Sequence, residues 1–521
     1  MKTLLDKVSI HAVLLFLFLL VLSALIGGGN LQMFSYSALF VFTVLCIAAC
    51  LHWTGYVLTV FIAACVSLEL GYRLYFNERV SLVVLKSIAD TNSHEAATLI
   101  LDVAPLFLIA SVPFFIILYL YRRIKGKVHV NAILLMLMAS VLLSAYAIIK
   151  EPQRYYRFLP DAIARPESFG NFYYDKNNLL FGAASVLVST QATRAQYRED
   201  VERVKSQYVM DDPAPGRPLV VFVLGETSFS GRYSLYGYDK LTTPTLDALR
   251  YDPSACVFDK VHSSSPITRD SLAMTLSFHT PENHNPLLEE KSVIELAQDN
   301  DYKTYWITAQ KLEGLQETKY GFLATESDVI RFTDWEDSKL PGYLKRELDR
   351  MARAKEEKSF VVLHMAGSHR PYENKFDPID ERALPDADDY DKSIHKTDRV
   401  LARVMETLEQ QDRPYIMFFT SDHGEIVGRG HGMKYGNGDQ YRIPYLMKSS
   451  ELDDDICKYV EGLRNDNGYI SGLSNRFVLL SLLGYNLDEQ FVQAEVDHDR
   501  VLHPDGKVYP WPDIPTEDSR Q

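Results

Sequence analysis

With 521 residues, 68 acidic against 54 basic side chains and a formal net charge of −14, the chain is long enough for more than one domain and too acidic for nucleic acid to be its partner. Its apolar content is unevenly spread: the first 150 residues are strongly apolar, and the remainder is polar and rich in Asp and Glu. Five cysteines make no disulfide framework. Cys46, Cys50 and Cys65 sit in apolar stretches as small hydrophobes, which leaves Cys256 and Cys457 for one bond at most.

Five apolar stretches fill the N-terminal third, at residues 9–27, 36–53, 56–75, 103–121 and 130–149. Each approaches the ~20 residues that a helix needs to cross a bilayer. The first, preceded by Lys2 and Lys7, has the makings of a signal peptide, but four further spans favour an uncleaved anchor. Residues 1–150 are therefore read as a transmembrane domain of five helices. Basic residues before the first span, and Arg122, Arg123, Lys125 and Lys127 between the fourth and fifth, put both places on the cytoplasmic side. An odd number of spans then carries everything after about residue 150 across the membrane. Only Glu69 is a clear acid inside a span, which argues against intramembrane transport.

Between the third and fourth spans, residues 80–101 mix apolar and polar residues at near-helical spacing (Val83, Val84, Ile88, then Ala96, Leu99, Ile100). This describes an amphipathic helix lying on the bilayer. A functional alternative is that Thr91 and Glu95, one helical turn apart, belong to a lipid-headgroup site. Residues 151–217 read as a polar bridging linker that closes on Pro213, Pro215 and Gly216, a domain boundary.

From 218 to 521 strands alternate with helical patterns. Strands are expected at 219–225, 303–308, 359–366 and 414–420, and helices at 244–250, 291–299, 341–355 and 389–411. Such alternation predicts an α/β fold, a mainly parallel sheet sandwiched by helices. The run Val220-Val221-Phe222-Val223-Leu224 ends in Gly225-Glu226, and Tyr415-Ile416-Met417-Phe418-Phe419-Thr420 runs into Ser421-Asp422-His423-Gly424-Glu425. Parallel strands deliver both ends to one crevice, where open α/β sheets bind ligands.

Carboxylates and an imidazole are zinc-type ligands, and a catalytic zinc keeps a position open for a reacting oxygen. A hydroxyl from the segment Ser263-Ser264-Ser265-Pro266-Ile267-Thr268-Arg269-Asp270-Ser271 would gain acidity there. Asp-His-Gly after a strand also describes a plain turn closed by an Asx hydrogen bond. A second strand ending in Gly-Glu, and two histidines beside glycines, His369 and His431, favour the metal site. His369 and His431 suit phosphate binding or proton donation, whereas His364, inside a strand, reads as structural.

Taken together, Val-x-Gly-Glu, Gly237-Tyr238, Thr242-Thr243-Pro244, the hydroxyl-rich segment, Gly367-Ser368-His369 and Ser-Asp-His-Gly-Glu with a later His-Gly resemble the membrane-bound phosphoethanolamine transferases. These enzymes of the alkaline phosphatase/sulfatase superfamily modify lipopolysaccharide and lipid A, and the resemblance covers nearly the whole chain. It implies one tightly bound zinc held by Glu226, Thr268, Asp422 and His423, with a second ion during turnover left open. It also implies Thr268 as nucleophile, because Thr268 falls at the family's position relative to the apolar segment 272–276. His369 and His431 would then act on the phosphoryl group or hold a second metal, and Thr91 and Glu95 match the headgroup-contact segment. The implied donor is phosphatidylethanolamine, and the acceptor lipopolysaccharide or another envelope glycan. The implied location is the bacterial inner membrane, with the catalytic domain in the periplasm.

The chain departs from the family at Phe229, where many relatives carry arginine, and in lacking cysteines around the nucleophile segment. A lysine common after the second strand has no clear match, although Lys311 is near. Lipid A and core sugars therefore both stay open as acceptors. Rival readings are a glycerophosphate transferase of lipoteichoic acid synthase type, a metal-dependent sulfatase or phosphoesterase, and a sensing protein with an inactive domain. The sulfatase motif Cys/Ser-x-Pro-x-Arg is missed by one residue in Ser264-Ser265-Pro266-Ile267-Thr268-Arg269.

Overall fold

A computed structural model gives the fold and describes residues 10–27, 31–76, 104–127, 133–134, 136–138, 202–210, 213–310, 319–434, 436–451 and 454–516. The chain divides into two compact units, Met1–Thr193 and Arg194–Gln521.

In the first unit four apolar helices are described: α1 (Ile10–Gly27), α2 (Leu31–Cys50), α3 (Trp53–Phe76) and α4 (Ala104–Ile124). Leu19, Leu45, Ile62 and Ile117 pack together inside, while Leu17, Val57, Phe61, Leu108 and Phe115 are exposed. Helices apolar on both faces suit a hydrocarbon solvent, which can satisfy no stray backbone group. The Tyr121 hydroxyl donates to the Ala48 carbonyl at 3.0 Å and ties α4 to α2. The expected five spans are met only in part. Among the described residues, two stretches are long and apolar enough to cross a membrane, Trp53–Leu74 and Phe107–Ile124, and Ile10–Ile26 and Val41–Cys50 are shorter apolar stretches. Most of the expected fifth span, the linker up to residue 201, Thr91, Glu95 and Lys311 lie outside the described residues.

The second unit is built on a sheet of seven strands. They are β1 (Leu219–Gly225), β2 (Ala255–Val257), β4 (Lys303–Thr308), β5 (Val329–Phe332), β6 (Ser359–His364), β7 (Tyr415–Ser421) and β8 (Tyr445–Ser449). The short pairs β3 (Val261–His262) with β9 (Ile470–Ser471), and β10 (Arg500–Leu502) with β11 (Val508–Pro510), lie apart from it. The order is β2-β8-β7-β1-β6-β4-β5. Strands β7, β1, β6, β4 and β5 pair in parallel, and β8 runs antiparallel to both β7 and β2.

The sheet is therefore mixed at one edge rather than simply parallel. The cause is local: among the described residues the loop from Asp422 to Pro444 carries only a short 3-10 turn, Gly438–Gln440, and no α-helix to bring the chain back over the sheet, so β8 doubles back beside β7. The strands expected at 219–225, 303–308 and 414–420 appear as β1, β4 and β7, and β6 stops at His364, two residues short of expectation.

Helices α5 (Thr268–Leu276), α6 (Val293–Asp299), α7 (Leu340–Ala354), α8 (Asp389–Glu409) and α9 (Asn475–Leu482) cover both faces. Along β1, Val220, Phe222 and Leu224 pack with Leu272 and Leu276 of α5, Ile294 of α6 and Phe477 of α9. Leu219, Val221 and Val223 point the other way, against Leu344 and Leu348 of α7 and Leu401 and Leu408 of α8. Alternate side chains of one strand thus feed two separate cores, which is why β1 has no polar residue. Each such buried aliphatic side chain contributes about 1.5–3 kcal/mol. Ser292 and Glu295 form a capping box at the start of α6, and the Asp388 carboxylate accepts the Asp391 N–H to start α8. Cys256 in β2 is bonded to Cys457, with Cα atoms 5.9 Å apart.

Candidate active site

The register brings four strand ends level. Leu224 lies beside His364 and Thr420, Gly225 beside Ser421, and His364 beside Thr308. Glu226, Met365, Asp422 and Gln310 follow just beyond those ends, so the chemistry of the site is set by pairing rather than by loop sequence.

Glu226, Asp422 and His423 meet there, buried, with ligand-type atoms within 4.8 Å of one another. Thr268 opens α5 and is only partly buried. Its Oγ1 stands 3.4 Å from each Glu226 oxygen and 3.2 Å from His423 Nε2. The four residues expected as a ligand set are therefore adjacent, with the hydroxyl as the accessible member. Ser263, Ser264 and Ser265 are buried beneath it.

Backbone geometry holds the cluster. Asp422 Oδ1 accepts the N–H groups of His423 at 2.7 Å and Thr227 at 3.0 Å. Thr227 is itself left-handed (φ 56°), which turns the chain sharply away from β1. Gly367 (φ +51°) lies so close to Glu226 that a side chain there would come within 2.3 Å of the Glu226 carbonyl oxygen. The next N–H, of Ser368, donates to that same carbonyl at 3.0 Å. The loop carrying His369 is thereby wrapped onto the residue that supplies a carboxylate.

The histidine tautomers follow from their partners. His423 Nδ1 lies 2.8 Å from the Gly424 carbonyl and His369 Nδ1 lies 2.7 Å from the Arg370 carbonyl. A carbonyl only accepts, so both Nδ1 atoms carry hydrogen, and it is Nε2 that each neutral ring would turn to a cation. His431 Nδ1 sits 2.9 Å from Glu425 Oε2, and Tyr372 donates its hydroxyl hydrogen to the other oxygen of Glu425. The His431 ring lies 4.2 Å from that of His423 and 5.2 Å from that of His369, centroid to centroid. His369 and His431 thus form the rim of the same site. His364 ends β6, faces the Trp306 ring edge-on, and burial pushes it down to about 4.

The charge balance fits a cation. Burial would raise Glu226, but the His423 and His369 rings, then the Thr227 hydroxyl and His431, outweigh it and hold it below the usual carboxylate range. Burial and then the Glu226 charge push Asp422 well above the usual carboxylate range. Two buried carboxylates resist carrying two charges together. Asp422 Oδ2 is buried, has no hydrogen-bond partner among the described residues and stands 3.3 Å from Nε2 of His423. A divalent cation between lone pairs so placed would satisfy both. Glu425, also buried, is pushed up to about 7.

Sequence reasoning gave no role to Thr227, Gln310, Tyr372 or Glu425. Thr227 donates to Glu226 Oε1 at 2.6 Å and Gln310 Nε2 to Glu226 Oε2 at 2.9 Å. Glu425 lay inside the quoted Ser-Asp-His-Gly-Glu motif, so its position was available. Its link to His431 was not.

The fold and its strand-end cluster define a class. Residues 218–477 match the family model described as sulfatase, and the chain carries a sulfatase-family domain. Curated proteins similar to it are named phosphoethanolamine transferases. Phosphoethanolamine transferase EptC of Escherichia coli O18:K1:H7 is 27% identical over 259 residues, 44% of this chain and 45% of that protein. The aligned stretch thus spans less than half of that relative's length. The integral membrane protein lipooligosaccharide phosphoethanolamine transferase A (EptA) of Neisseria meningitidis shares the fold. Its TM-score is 0.66 at 18% identity, over 92% of this chain and 96% of that one. The C-terminal periplasmic domain of Escherichia coli EptC in complex with Zn superposes with a TM-score of 0.52 at 21% identity, over 61% of this chain and 99% of that one.

Proposed function

We propose that the protein transfers phosphoethanolamine from phosphatidylethanolamine to a lipopolysaccharide acceptor, lipid A or a core sugar, through a phospho-threonine intermediate on Thr268. The observation that carries this reading is the placement of Thr268. Its hydroxyl opens a helix and stands within 3.4 Å of both Glu226 oxygens and 3.2 Å of His423 Nε2.

Glu226, Asp422 and His423, with Thr268, are the residues that would hold zinc. When bound, the ion would offset the two carboxylate charges and make the Thr268 hydroxyl acidic. The hydroxyl oxygen attacks phosphorus, the bond from phosphorus to the glycerol oxygen breaks, and diacylglycerol leaves with a proton. The positive end of the α5 dipole favours the charge that builds on the phosphoryl oxygens. His369 and His431, whose rings line up beside that of His423, would bind those oxygens or pass the proton to the leaving group. In the second half, an acceptor oxygen attacks the same phosphorus and Thr268 regains its proton. Thr91 and Glu95 are proposed as contacts to the donor headgroup.

The apolar outer faces of α1, α3 and α4 and the basic residues in the last turn of α4 support a multi-pass protein of the bacterial inner membrane with its catalytic domain in the periplasm. Confinement of the enzyme with lipid donor and lipid acceptor on one surface raises their encounter frequency.

The test is headgroup transfer by purified protein in detergent, following diacylglycerol release and protein mass with labelled phosphatidylethanolamine. The expected result is release together with a phosphoethanolamine adduct that is absent in Thr268→Ala. Turnover of phosphatidylglycerol alone would move the protein to glycerophosphate transfer, and turnover of neither lipid by zinc-loaded protein would overturn the donor assignment.

A further inference from the structure

Strand β4 contributes none of the proposed zinc ligands, yet its end reaches the cluster through one side chain. We infer that Gln310 is a positioning residue for the zinc site: it fixes the rotation of the Glu226 carboxylate and thereby sets how tightly the cation is held. The inference rests on the zinc reading above and extends it to a residue outside the ligand set.

Gln310 Nε2 lies 2.9 Å from Glu226 Oε2 and 2.9 Å from the carbonyl oxygen of Met365. Both neighbours only accept, so the amide must turn its NH2 toward them. The flipped amide would set an oxygen against two oxygens. Each amide hydrogen therefore has one partner, and the side chain has no second orientation of similar energy. Its backbone is pinned as well. The Gln310 N–H donates to Thr308 Oγ1 at 2.9 Å, and the Thr308 hydroxyl donates to the Gln310 carbonyl at 3.2 Å.

The other Glu226 oxygen is held separately, by the Thr227 hydroxyl at 2.6 Å. The two oxygens are thus gripped by donors from two strands, β1 and β4, and the Met365 carbonyl just past β6 completes the brace. A carboxylate oxygen can accept more than one bond, so each keeps a lone pair for the cation. Thr268 Oγ1 is equidistant from the two oxygens at 3.4 Å, as expected for a carboxylate whose plane is fixed relative to the nucleophile. Groups that orient a ligand without touching the metal commonly set metal affinity by ten- to a hundredfold.

The test uses the full chain in detergent, stripped of metal and titrated with zinc against a chromophoric chelator. Gln310→Met keeps the bulk and length of the side chain but removes both N–H bonds, and Gln310→Ala removes the side chain altogether. The expected result is zinc binding about ten- to a hundredfold weaker in both variants, with the melting temperature of the metal-free protein unchanged. Affinity within twofold of wild type would overturn the inference. So would a metal-free melting temperature that falls together with the affinity, because that marks a general structural role. Wild-type protein that takes up no zinc, or Glu226→Ala protein that binds zinc as tightly as wild type, would bring down the zinc reading itself and this inference with it.

Discussion

The inner cluster and its rim are built by different means. Glu226, Asp422 and His423 stand directly on the ends of adjacent parallel strands and are at most 3% exposed. His369 and His431 ride on loops, and their rings are aimed by single hydrogen bonds to Arg370 and Glu425. The sheet thus fixes Glu226, Asp422 and His423, three of the four proposed cation ligands, by register, whereas the rim depends on side-chain bonds that one substitution removes. Inner residues should therefore decide whether a metal is held, and rim residues how fast the held phosphoryl group reacts.

Substitutions can break that division in order of expected effect. Loss of the nucleophile comes first: Thr268→Ala should lower diacylglycerol release by at least about a thousandfold while the protein still melts as wild type. Asp422→Asn should weaken zinc binding on the order of a thousandfold. The same change should leave the metal-free melting temperature equal or higher, because it replaces a buried carboxylate that resists ionisation. A variant that keeps zinc would refute the placement of Asp422 in the inner set. Smaller again, His369→Ala and His431→Ala should each lower kcat by about a hundredfold with zinc content intact. Loss of zinc from either would merge rim and cluster into one unit.

The smallest effect is a pH dependence. Glu425 is an acid raised by burial from its ordinary 4.5 to about 7 in the folded protein. Between those values the unfolded chain releases the proton and the folded chain keeps it. Its contribution to metal-free stability is therefore lost as pH rises through that window, by about 1.4 kcal/mol per unit at most, and is constant above it. His431, held below its usual range mainly by burial, acts with the opposite sign, so the measurement is a difference. Melting of metal-free Glu425→Gln minus wild type should rise from pH 5 to pH 7 and then level off. A flat difference would refute the placement of the charge.

Much of the inner cluster was legible because two of its strands are unbroken apolar runs that stop at Glu226 and at Asp422-His423. Such a run has few alternatives to a central parallel strand, and its last residue must face the crevice. The edge strands were not legible. β2 and β5 are three and four residues long and only partly buried, so they carry no periodic signal. The antiparallel β8 follows from a loop without a crossover helix, which no local pattern announces. Gln310 was missed for a different reason. Its value depends on β4 and β1 lying on either side of β6, and that is a property of strand order rather than of residues near 310. Thr227 was hidden by its backbone, since nothing in Gly-Glu-Thr requires a left-handed threonine.

The central place of β1 also governs when the site can exist. Leu219 pairs with Ser359 on one side and Tyr415 on the other, residues that leave the ribosome long after it. Contacts so distant in sequence form late, after the large loops between them have closed. Until His423 has been made and β7 has docked, Glu226 and Thr268 have no counterpart, and the Thr268 hydroxyl stays an ordinary alcohol. On the proposed function, a chain stalled or cut before that point carries its apolar helices without a working nucleophile, which spares the bilayer from a half-built lipid-cleaving site.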